Sequence, residues 1–330
     1  MKRAFLVCPG RGSYVERSMR TLSADDPLVA SAEQLRAEFE LEPLLALDGA
    51  EKFEAARHLR PANVSALIYV ISMIDARAAA LQHRPVAVAG NSMGWYTALA
   101  VAGSLSFEDG FRLVQGMALA QEEHPEGGQI LYPICDENWK VDPDRRAAID
   151  HLLDDLPNLA FPSIHLGGFA VLAGTEQGVR ELQRRLPKIT QNGTPYPLRL
   201  QQHGPYHTPL VEPVSQAARE RLAGLEFSAP RVSLIDGAGR IHTPWSASTE
   251  QLRTYTFGEQ VTAPYDLTAS LRVGLREYAP DRIVLPGPGN TLGGIVGQAL
   301  VAEGWQGVKD KADFTKLQAS GEPLVESMRR

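Results

Sequence analysis

The hydrophobic pattern of the chain alternates between short apolar runs and longer stretches with helical periodicity. Residues 4–7, 86–89 and 282–285 are largely apolar runs, each followed within two residues by a glycine or a proline. Such runs predict strands that are buried on both faces, as in a parallel sheet. Residues 64–81 carry apolar side chains at helical spacing and predict a core helix. Because helices and buried strands alternate, the pattern predicts an α/β protein with a parallel sheet.

The pattern changes in the middle of the chain. Here it predicts a succession of strand, helix, strand, helix and strand, at residues 130–134, 144–153, 169–173, 176–186 and 196–200. This order is typical of a small α+β unit inserted into a larger domain. The final segment, 306–330, is polar and mixed, and we predict a partly ordered tail there.

Composition and charge narrow the classes of function. A chain of 330 residues can bury one large core, with or without a small second domain. The net charge of −6 and the absence of a basic run argue against nucleic acid and membrane surfaces as partners. No stretch approaches the ~18 apolar residues of a membrane span, and the N-terminal apolar run is too short for a signal peptide. The two cysteines, Cys8 and Cys135, are not at metal-ligand spacing, so we expect no metal and a reduced, cytoplasmic protein.

One segment indicates catalytic chemistry. Gly90-Asn-Ser-Met-Gly94 lies between the predicted strand 86–89 and a predicted helix at 95–102. Gly-x-Ser-x-Gly between a strand and a helix is the nucleophile-elbow pattern, in which glycines allow backbones to approach closely. The serine hydroxyl then lies beside the N–H groups that open the helix, which supply part of an oxyanion hole. Ser92 is therefore a candidate nucleophile.

Two loops carry further candidate groups. Residues 201–210 hold His203 and His207 among helix-breaking residues, and loops often carry catalytic groups. The glycine-rich turn 9–13 follows the first predicted strand and can offer backbone N–H groups to an anion. Its spacing fits neither the dinucleotide-binding motif nor the P-loop, which argues against nucleotide binding. An incidental histidine and a plain connecting turn remain open interpretations of these two loops.

Five motifs follow one another between residues 5 and 300: Pro9-Gly-Arg-Gly-Ser13, Ala89-Gly-Asn-Ser-Met-Gly94, Tyr206-His-Thr-Pro-Leu210, Gln260-Val-Thr-Ala-Pro264 and Gly287-Pro-Gly-Asn290. In this order they resemble the malonyl-CoA:acyl carrier protein transacylase family, the acyltransferases of fatty-acid and polyketide synthesis. The first two stand where the family has Pro-Gly-Gln-Gly-Ser and Ala-Gly-His-Ser-x-Gly. The resemblance covers most of the chain.

The resemblance implies an α/β fold with an α/β-hydrolase-like large domain and an inserted ferredoxin-like α+β subdomain. The large domain is expected to comprise residues 1–128 and 203–305, the subdomain residues 129–202, and the tail 306–330. The active site is expected in the cleft between the two domains. The family implies no bound cofactor. Its substrates are acyl-CoA and the phosphopantetheine arm of an acyl carrier protein, which is the expected partner. The sequence has no clear oligomer signal, and a monomer is the default.

The resemblance also implies roles for individual residues. Ser92 is expected to be the nucleophile and His207 the general base of a ping-pong acyl transfer. The backbone N–H groups of Arg11 and Met93 are expected to form the oxyanion hole. A backbone carbonyl orients the histidine in the family. That position maps to Asp266, whose carboxylate either orients His207 instead or faces solvent.

Several departures from the family pattern concern the acyl pocket, to which we assign Asn91, Trp95, Met117, His165 and Tyr206. Counting without gaps from Ser92, the arginine that pairs with the malonyl carboxylate in the family falls on Met117. A carboxylate buried without a cation costs several kcal/mol, so a neutral acyl group is favoured.

The other departures in the pocket replace polar family residues. Asn91 replaces a histidine, Trp95 replaces a glutamate, and His165 stands where the small domain has an asparagine.

Four functions remain open after these departures. The first is an acyltransferase that loads a neutral acyl group onto a carrier protein. The second is an ordinary malonyl transacylase, in which Arg11 on the oxyanion loop replaces the missing arginine. The third is a hydrolase of the same family that releases acyl groups from carrier proteins. The fourth is a non-catalytic scaffold that contacts carrier proteins.

Overall fold

The computed structural model describes residues 1–124 and 126–329. Its strands, numbered along the chain, are β1 (Lys2–Cys8), β2 (His83–Gly90), β3 (Gly128–Pro133), β4 (Ala160–Leu166), β5 (Phe169–Gly174), β6 (Ile189–Gln191), β7 (Thr194–Tyr196), β8 (Leu198–Arg199), β9 (Ser233–Ile235), β10 (Ile241–His242), β11 (Tyr265–Asp266), β12 (Arg282–Leu285) and β13 (Val325–Ser327). Its α-helices are α1 (Pro27–Glu38), α2 (Leu44–Asp48), α3 (Ala55–His58), α4 (Pro61–Gln82), α5 (Gly94–Val101), α6 (Phe107–Glu122), α7 (Pro143–Asp155), α8 (Glu176–Arg185), α9 (Glu212–Arg221), α10 (Thr249–Phe257), α11 (Glu259–Thr262), α12 (Leu267–Tyr278), α13 (Thr291–Glu303) and α14 (Lys311–Gln318).

The large domain is built on a sheet with the strand order β10-β9-β2-β1-β12-β13. All neighbours in this sheet are parallel except β10, which runs antiparallel to β9. The residues from Ala4 to Cys8 in the central strand β1 are fully or almost fully buried, as the continuous apolar run predicted. Because β2 lies next to β1, the carboxyl ends of both strands meet at one edge of the sheet. The loop 9–13 and the elbow are therefore neighbours.

Helix α4 is a core helix. By length and composition it is apolar enough to cross a membrane, so the expectation that no stretch approaches a membrane span was wrong. However, 67% of the most apolar 18-residue segment of this helix is buried inside the protein. The helix packs against α6, and Tyr69 of α4 donates a hydrogen bond to the carbonyl of Phe107 over 2.8 Å. Burial explains its apolar character.

The small domain is a sheet with the strand order β11-β4-β5-β3-β8. Four of these strands alternate with α7 and α8 along the chain and pair antiparallel in the ferredoxin-like order. The predicted fold class, with an inserted ferredoxin-like sheet, is confirmed. The fifth strand, β11, comes from the large domain and pairs parallel with β4. Its two residues form too short a pattern to be recognised in the sequence.

The predicted C-terminal tail is wrong for the described residues 306–329, because they join the large domain. Strand β13 is the edge strand of the large sheet and pairs with β12. Arg329 donates from Nε to the carboxylate of Asp75 over 2.9 Å, and the backbone N–H of Gly287 donates to the same carboxylate over 2.9 Å. Only Leu324 and Val325 mark this strand in the sequence, which is too few apolar residues to predict it.

Candidate active site

The nucleophile elbow is the tight connection between β2 and α5. Ser92 has a φ of 54°, a left-handed conformation that is strained for a residue with a Cβ. A Cβ on Gly90 would overlap the backbone of Gly94, and a Cβ on Gly94 would overlap the carbonyl of Cys8. The backbone N–H of Asn91 donates to the Cys8 carbonyl over 2.9 Å. These contacts hold the serine at the carboxyl end of the sheet.

His207 lies directly beside the serine. Its Nε2 is 2.7 Å from Oγ of Ser92, and its Nδ1 is 2.8 Å from the carbonyl oxygen of Gln260. Because a carbonyl only accepts hydrogen bonds, Nδ1 carries the ring proton and Nε2 is free to accept the serine hydroxyl proton. The pKa of His207 is lowered to about 4, first by burial and also by the charge of Arg11, against the effect of the Gln260 hydrogen bond. The imidazole is therefore a neutral base at pH 7.

The expectation that Asp266 orients this histidine is wrong. The Asp266 carboxylate accepts a hydrogen bond from the backbone N–H of Ala269 over 2.8 Å and so caps the start of α12. The orienting group is the backbone carbonyl of Gln260. The Gln260 side chain also donates from Nε2 to the Ser92 carbonyl over 3.1 Å and accepts from the hydroxyl of Tyr96 over 2.7 Å. Gln260 is the first residue of one of the five sequence motifs, and this position was the sequence signal that could have identified it.

A small cavity adjoins the serine on the side of the loop 9–13. Arg11, Ser92, Met93 and His207 line it, and its volume is about 20 Å³. No described residue accepts a hydrogen bond from the backbone N–H of Arg11 or of Met93. Two free N–H groups beside a nucleophile can stabilise the oxygen of a tetrahedral intermediate, which is the chemistry of an oxyanion hole. The structure thus brings together the four residues that the sequence analysis assigned to catalysis.

A larger cavity of about 340 Å³ opens from Ser92 into the cleft between the domains. Arg11, Asn91, Ser92 and Tyr206 lie among its lining residues. Its other walls are largely apolar and come from both domains: Leu131, Ile164, Leu166, Phe169, Val171, Leu200, Leu292 and Ile295. The volume is at the lower end of the range for small-molecule sites. An apolar group of a few carbon atoms fits these walls.

Three of the assigned pocket residues do not line this cavity. Trp95 is fully buried behind the elbow, where its Nε1 donates to Oγ1 of Thr256 over 3.0 Å. Met117 is 1% exposed and belongs to the core of the large domain. His165 lies exposed on β4, where its neighbours Ile164 and Leu166 face the cavity. Successive side chains of a strand point to opposite faces, so His165 points away.

Arg11 carries an uncompensated charge at the junction of the two cavities. Its guanidinium lies 4.6 Å from the centre of the Tyr206 ring, in cation–π geometry. Its Nη1 is buried and has no hydrogen-bond partner in the described part of the chain. None of the described carboxylates forms an ion pair with it. Arg11 was expected to act mainly through its backbone N–H, so the buried charge of its side chain is an additional feature of the site.

Comparisons with known proteins agree with this geometry, although no family model matches the chain. The malonyl CoA-acyl carrier protein transacylase of Haemophilus influenzae is 24% identical over 329 residues, covering 96% of this chain and 99% of that protein. The crystal structure of an acyl-carrier-protein S-malonyltransferase from Burkholderia pseudomallei superposes with a TM-score of 0.75 at 21% identity, covering 99% of this chain and 96% of the other.

A third similar structure contains a partner protein. It is a malonyl-transacylase in complex with its type II polyketide synthase acyl-carrier protein, with a TM-score of 0.73, 20% identity, and coverage of 100% of this chain and 96% of the other. Sequence likeness over almost the whole chain, the shared fold and the serine–histidine geometry agree with one another. Over almost its whole length the chain is similar in sequence to malonyl CoA-acyl carrier protein transacylases, and it shares the fold of their solved structures.

Proposed function

We propose that the protein transfers an acyl group from CoA to the phosphopantetheine thiol of an acyl carrier protein through an ester on Ser92. The observation that carries this proposal is the 2.7 Å contact between Ser92 Oγ and His207 Nε2, with the imidazole anchored by the Gln260 carbonyl. A serine hydroxyl is a weak nucleophile until a positioned base removes its proton. The described geometry supplies such a base in its neutral form.

The transfer consists of two symmetrical halves. In the first, His207 Nε2 takes the hydroxyl proton while Ser92 Oγ bonds to the thioester carbonyl carbon. The resulting oxyanion accepts hydrogen bonds from the N–H groups of Arg11 and Met93. The C–S bond then breaks, and the CoA thiolate leaves with the proton from His207. In the second half the carrier-protein thiol gives its proton to His207, and its sulfur attacks the ester carbonyl carbon. The C–O bond to Ser92 then breaks, and Oγ takes the proton back from His207.

Support for the partner comes from the related malonyl-transacylase that was solved together with an acyl-carrier protein. The two half-reactions require no bound cofactor, because the thioester itself supplies the activated carbonyl. The proposed enzyme is a monomeric cytoplasmic protein of fatty-acid or polyketide synthesis. Its proposed partners include neither nucleic acid nor membrane surfaces.

The acyl group is proposed to be neutral, such as acetyl or longer. Helix α6 supplies no cation to the site: Met117 is buried in the core, and the residue of this helix that reaches the cavity beside Ser92 is Gln121. The larger cavity is lined mainly by apolar side chains. Transfer of an apolar chain from water into such a cavity is favourable. Burial of a carboxylate that reaches no cation is unfavourable, because the carboxylate loses its hydration.

A malonyl group is the second candidate, and the side chain of Arg11 is the observation that favours it. Its Nη1 is buried without a hydrogen-bond partner among the described residues, in a group that lines both cavities at Ser92. A carboxylate that reached this guanidinium would form a charge-assisted hydrogen bond. The two candidates therefore differ in one measurable property, the use of Arg11 by the substrate.

The proposed function is tested by acylating the protein and following the mass of the Ser92 peptide. We expect acetyl- or longer acyl-CoA to label Ser92 strongly, malonyl-CoA to label it weakly, and carrier protein to remove the label. Ser92→Ala is expected to remove all labelling. Strong malonyl labelling would exclude the neutral acyl group. Rapid loss of label to water without carrier protein would indicate the hydrolase, and labelling that persists in Ser92→Ala would contradict the mechanism.

Arg11→Gln separates the two acyl groups further. The substitution keeps the backbone N–H and removes the charge. For a neutral acyl group we expect the labelling rate at neutral pH to change less than about threefold, with the pKa of His207 raised because Arg11 lowers it. For malonyl, loss of a charged hydrogen bond of about 1.5–3 kcal/mol would slow labelling about 10–100-fold. Arg11→Lys keeps the charge and is the matched control. If Arg11→Gln slowed labelling by about 10–100-fold with malonyl-CoA but not with a neutral acyl-CoA, the proposal of a neutral acyl group would be overturned.

A further inference from the structure

A second histidine of the cleft, His203, is held by a buried chain of polar groups. Its Nδ1 lies 2.8 Å from Oε1 of Gln129 on β3. The Gln129 side chain donates from Nε2 to Oγ of Ser163 over 2.7 Å and, more weakly, to the carbonyl of Tyr206 over 3.4 Å. Gln129 is 2% exposed and Ser163 is fully buried. These groups connect the small domain to the loop that carries His207.

The chain of hydrogen bonds fixes which ring nitrogen of His203 is protonated. Oγ of Ser163 donates its proton to the Tyr206 carbonyl over 2.8 Å, so it accepts from Gln129 Nε2. The Gln129 oxygen therefore faces His203 as an acceptor, and His203 Nδ1 must carry the ring proton. Burial, followed by the charges of Arg11 and His207, holds the pKa of His203 well below its ordinary value. The neutral ring thus presents a lone pair at Nε2.

His203 borders two cavities, one of which contains Ser92. His203 lines the 340 Å³ cavity that contains Ser92, and it also lines a groove of about 650 Å³ bordered by Arg60, Gln121 and Arg199. Within the described residues, Nε2 of His203 has no hydrogen-bond partner. A substrate arm that passes from the groove to the serine therefore passes an open acceptor. The mechanism of acyl transfer described above makes no use of it.

We propose that Nε2 of His203 accepts a hydrogen bond from the pantetheine arm of the acyl donor and of the carrier protein, and so positions the thioester at Ser92. This inference rests on the proposed function, because it takes its ligand from that reaction. The pantetheine arm is a flexible chain whose amide N–H groups and hydroxyl are donors without charge. A neutral acceptor suits such donors, whereas it offers nothing to a phosphate or a carboxylate. His203 is thus a positioning residue that acts on the arm and not on the acyl group.

The test compares two donors of the same acyl group, the CoA thioester and the nitrophenyl ester, which has no pantetheine arm. His203→Asn keeps a side-chain N–H near the position of Nδ1 for Gln129 and removes the acceptor at Nε2. We expect its acylation by acyl-CoA, measured as the second-order rate of Ser92 labelling, to fall about 3–10-fold, the range for one hydrogen bond. Acylation by the nitrophenyl ester is expected to be unchanged. His203→Gln places an amide near Nε2 and is expected to recover part of the loss.

The outcomes separate this inference from the proposed function. Equal losses with both donors would assign His203 to the chemistry at the carbonyl or to folding, and would overturn its role toward the arm. Unchanged rates with both donors would overturn it as well. If the wild-type protein is acylated by the nitrophenyl ester but not by any acyl-CoA, the proposed function itself fails, and the role of His203 fails with it.

Discussion

Replacing His207 with asparagine is expected to slow the acylation of Ser92 by acyl-CoA about 10²–10⁴-fold, the usual contribution of a general base. Asparagine tolerates the φ of 60° at this position and can still donate to the Gln260 carbonyl. It has no atom at the position of Nε2, so the serine proton has no acceptor. The measurement is the single-turnover rate of label on Ser92 at neutral pH.

The matched control for this variant is His165→Asn. His165 is exposed on the opposite face of β4, so the same chemical change there is expected to leave the rate unchanged. A His207→Asn rate within about threefold of the wild-type rate would show that the imidazole does not act as the base. A slower labelling rate in His165→Asn would show instead that substitutions on the surface of the small domain alter the rate.

The same histidine sets the expected pH dependence of the wild-type enzyme. Because the pKa of His207 is lowered to about 4, the acylation rate should stay constant from pH 8 to about pH 5 and fall with a midpoint near 4. The folded state binds this proton more weakly than the unfolded chain. The contribution of neutral His207 to stability is therefore present above about pH 6.5 and is lost as the pH falls through about 4. Near-ultraviolet circular dichroism at each pH separates inactivation from unfolding. A midpoint near 6.5 would contradict the assignment.

Replacing Gly90 with alanine is expected to cost about 3 kcal/mol or more of unfolding free energy and to abolish labelling of Ser92. A Cβ at this position overlaps the backbone of Gly94 and the amide of Trp95. Backbone atoms cannot turn away as a flexible side chain can, so the elbow must change shape. The measurements are the urea unfolding midpoint and the mass of the Ser92 peptide.

Gly294→Ala is the matched control for the elbow glycine. Gly294 is exposed within α13, and no atom lies within 4 Å of the place where its Cβ would be. The same substitution there is expected to stabilise the protein by up to about 1 kcal/mol, because alanine is the better helix former. A Gly90→Ala variant that unfolds at the wild-type urea concentration would show that the elbow has more room than these contacts imply.

The two residues that meet at 2.7 Å, Ser92 and His207, could be singled out from the sequence because each stands in a local pattern. The glycines around Ser92 predict the sharp turn, and the helix-breaking residues around His207 predict the loop that carries it. The orienting carbonyl could not be predicted, because any backbone can supply one and only the folded loop decides which. Asp266 was a candidate because a carboxylate can orient a histidine, but its side chain caps α12. The carbonyl of Gln260 contacts the ring of His207 instead.

Three of the five pocket assignments, Trp95, Met117 and His165, were wrong for a related reason. Alignment by position does not determine the direction of a side chain. Trp95 follows the elbow but points into the core, and His165 falls on the outer face of its strand. Asn91 and Tyr206 do line the cavity. Nη1 of Arg11 is buried and has no hydrogen-bond partner among the residues that the structure describes. No local sequence pattern predicts this, because it depends on where all surrounding acceptors lie in the folded chain.

The strand pairing between β11 and β4 has a mechanical consequence. Tyr265 of β11 pairs with Ile164 of the small sheet, and its hydroxyl donates to the Gly90 carbonyl over 2.5 Å. One edge of the small domain is thereby fastened to the nucleophile elbow, whereas β8 forms the opposite edge of that sheet. A displacement of β4 would therefore be passed through Tyr265 to the carbonyl of Gly90, two residues before Ser92. Because Ile164 also lines the cavity at Ser92, this pairing fixes one wall of the cavity to the same element that holds the serine.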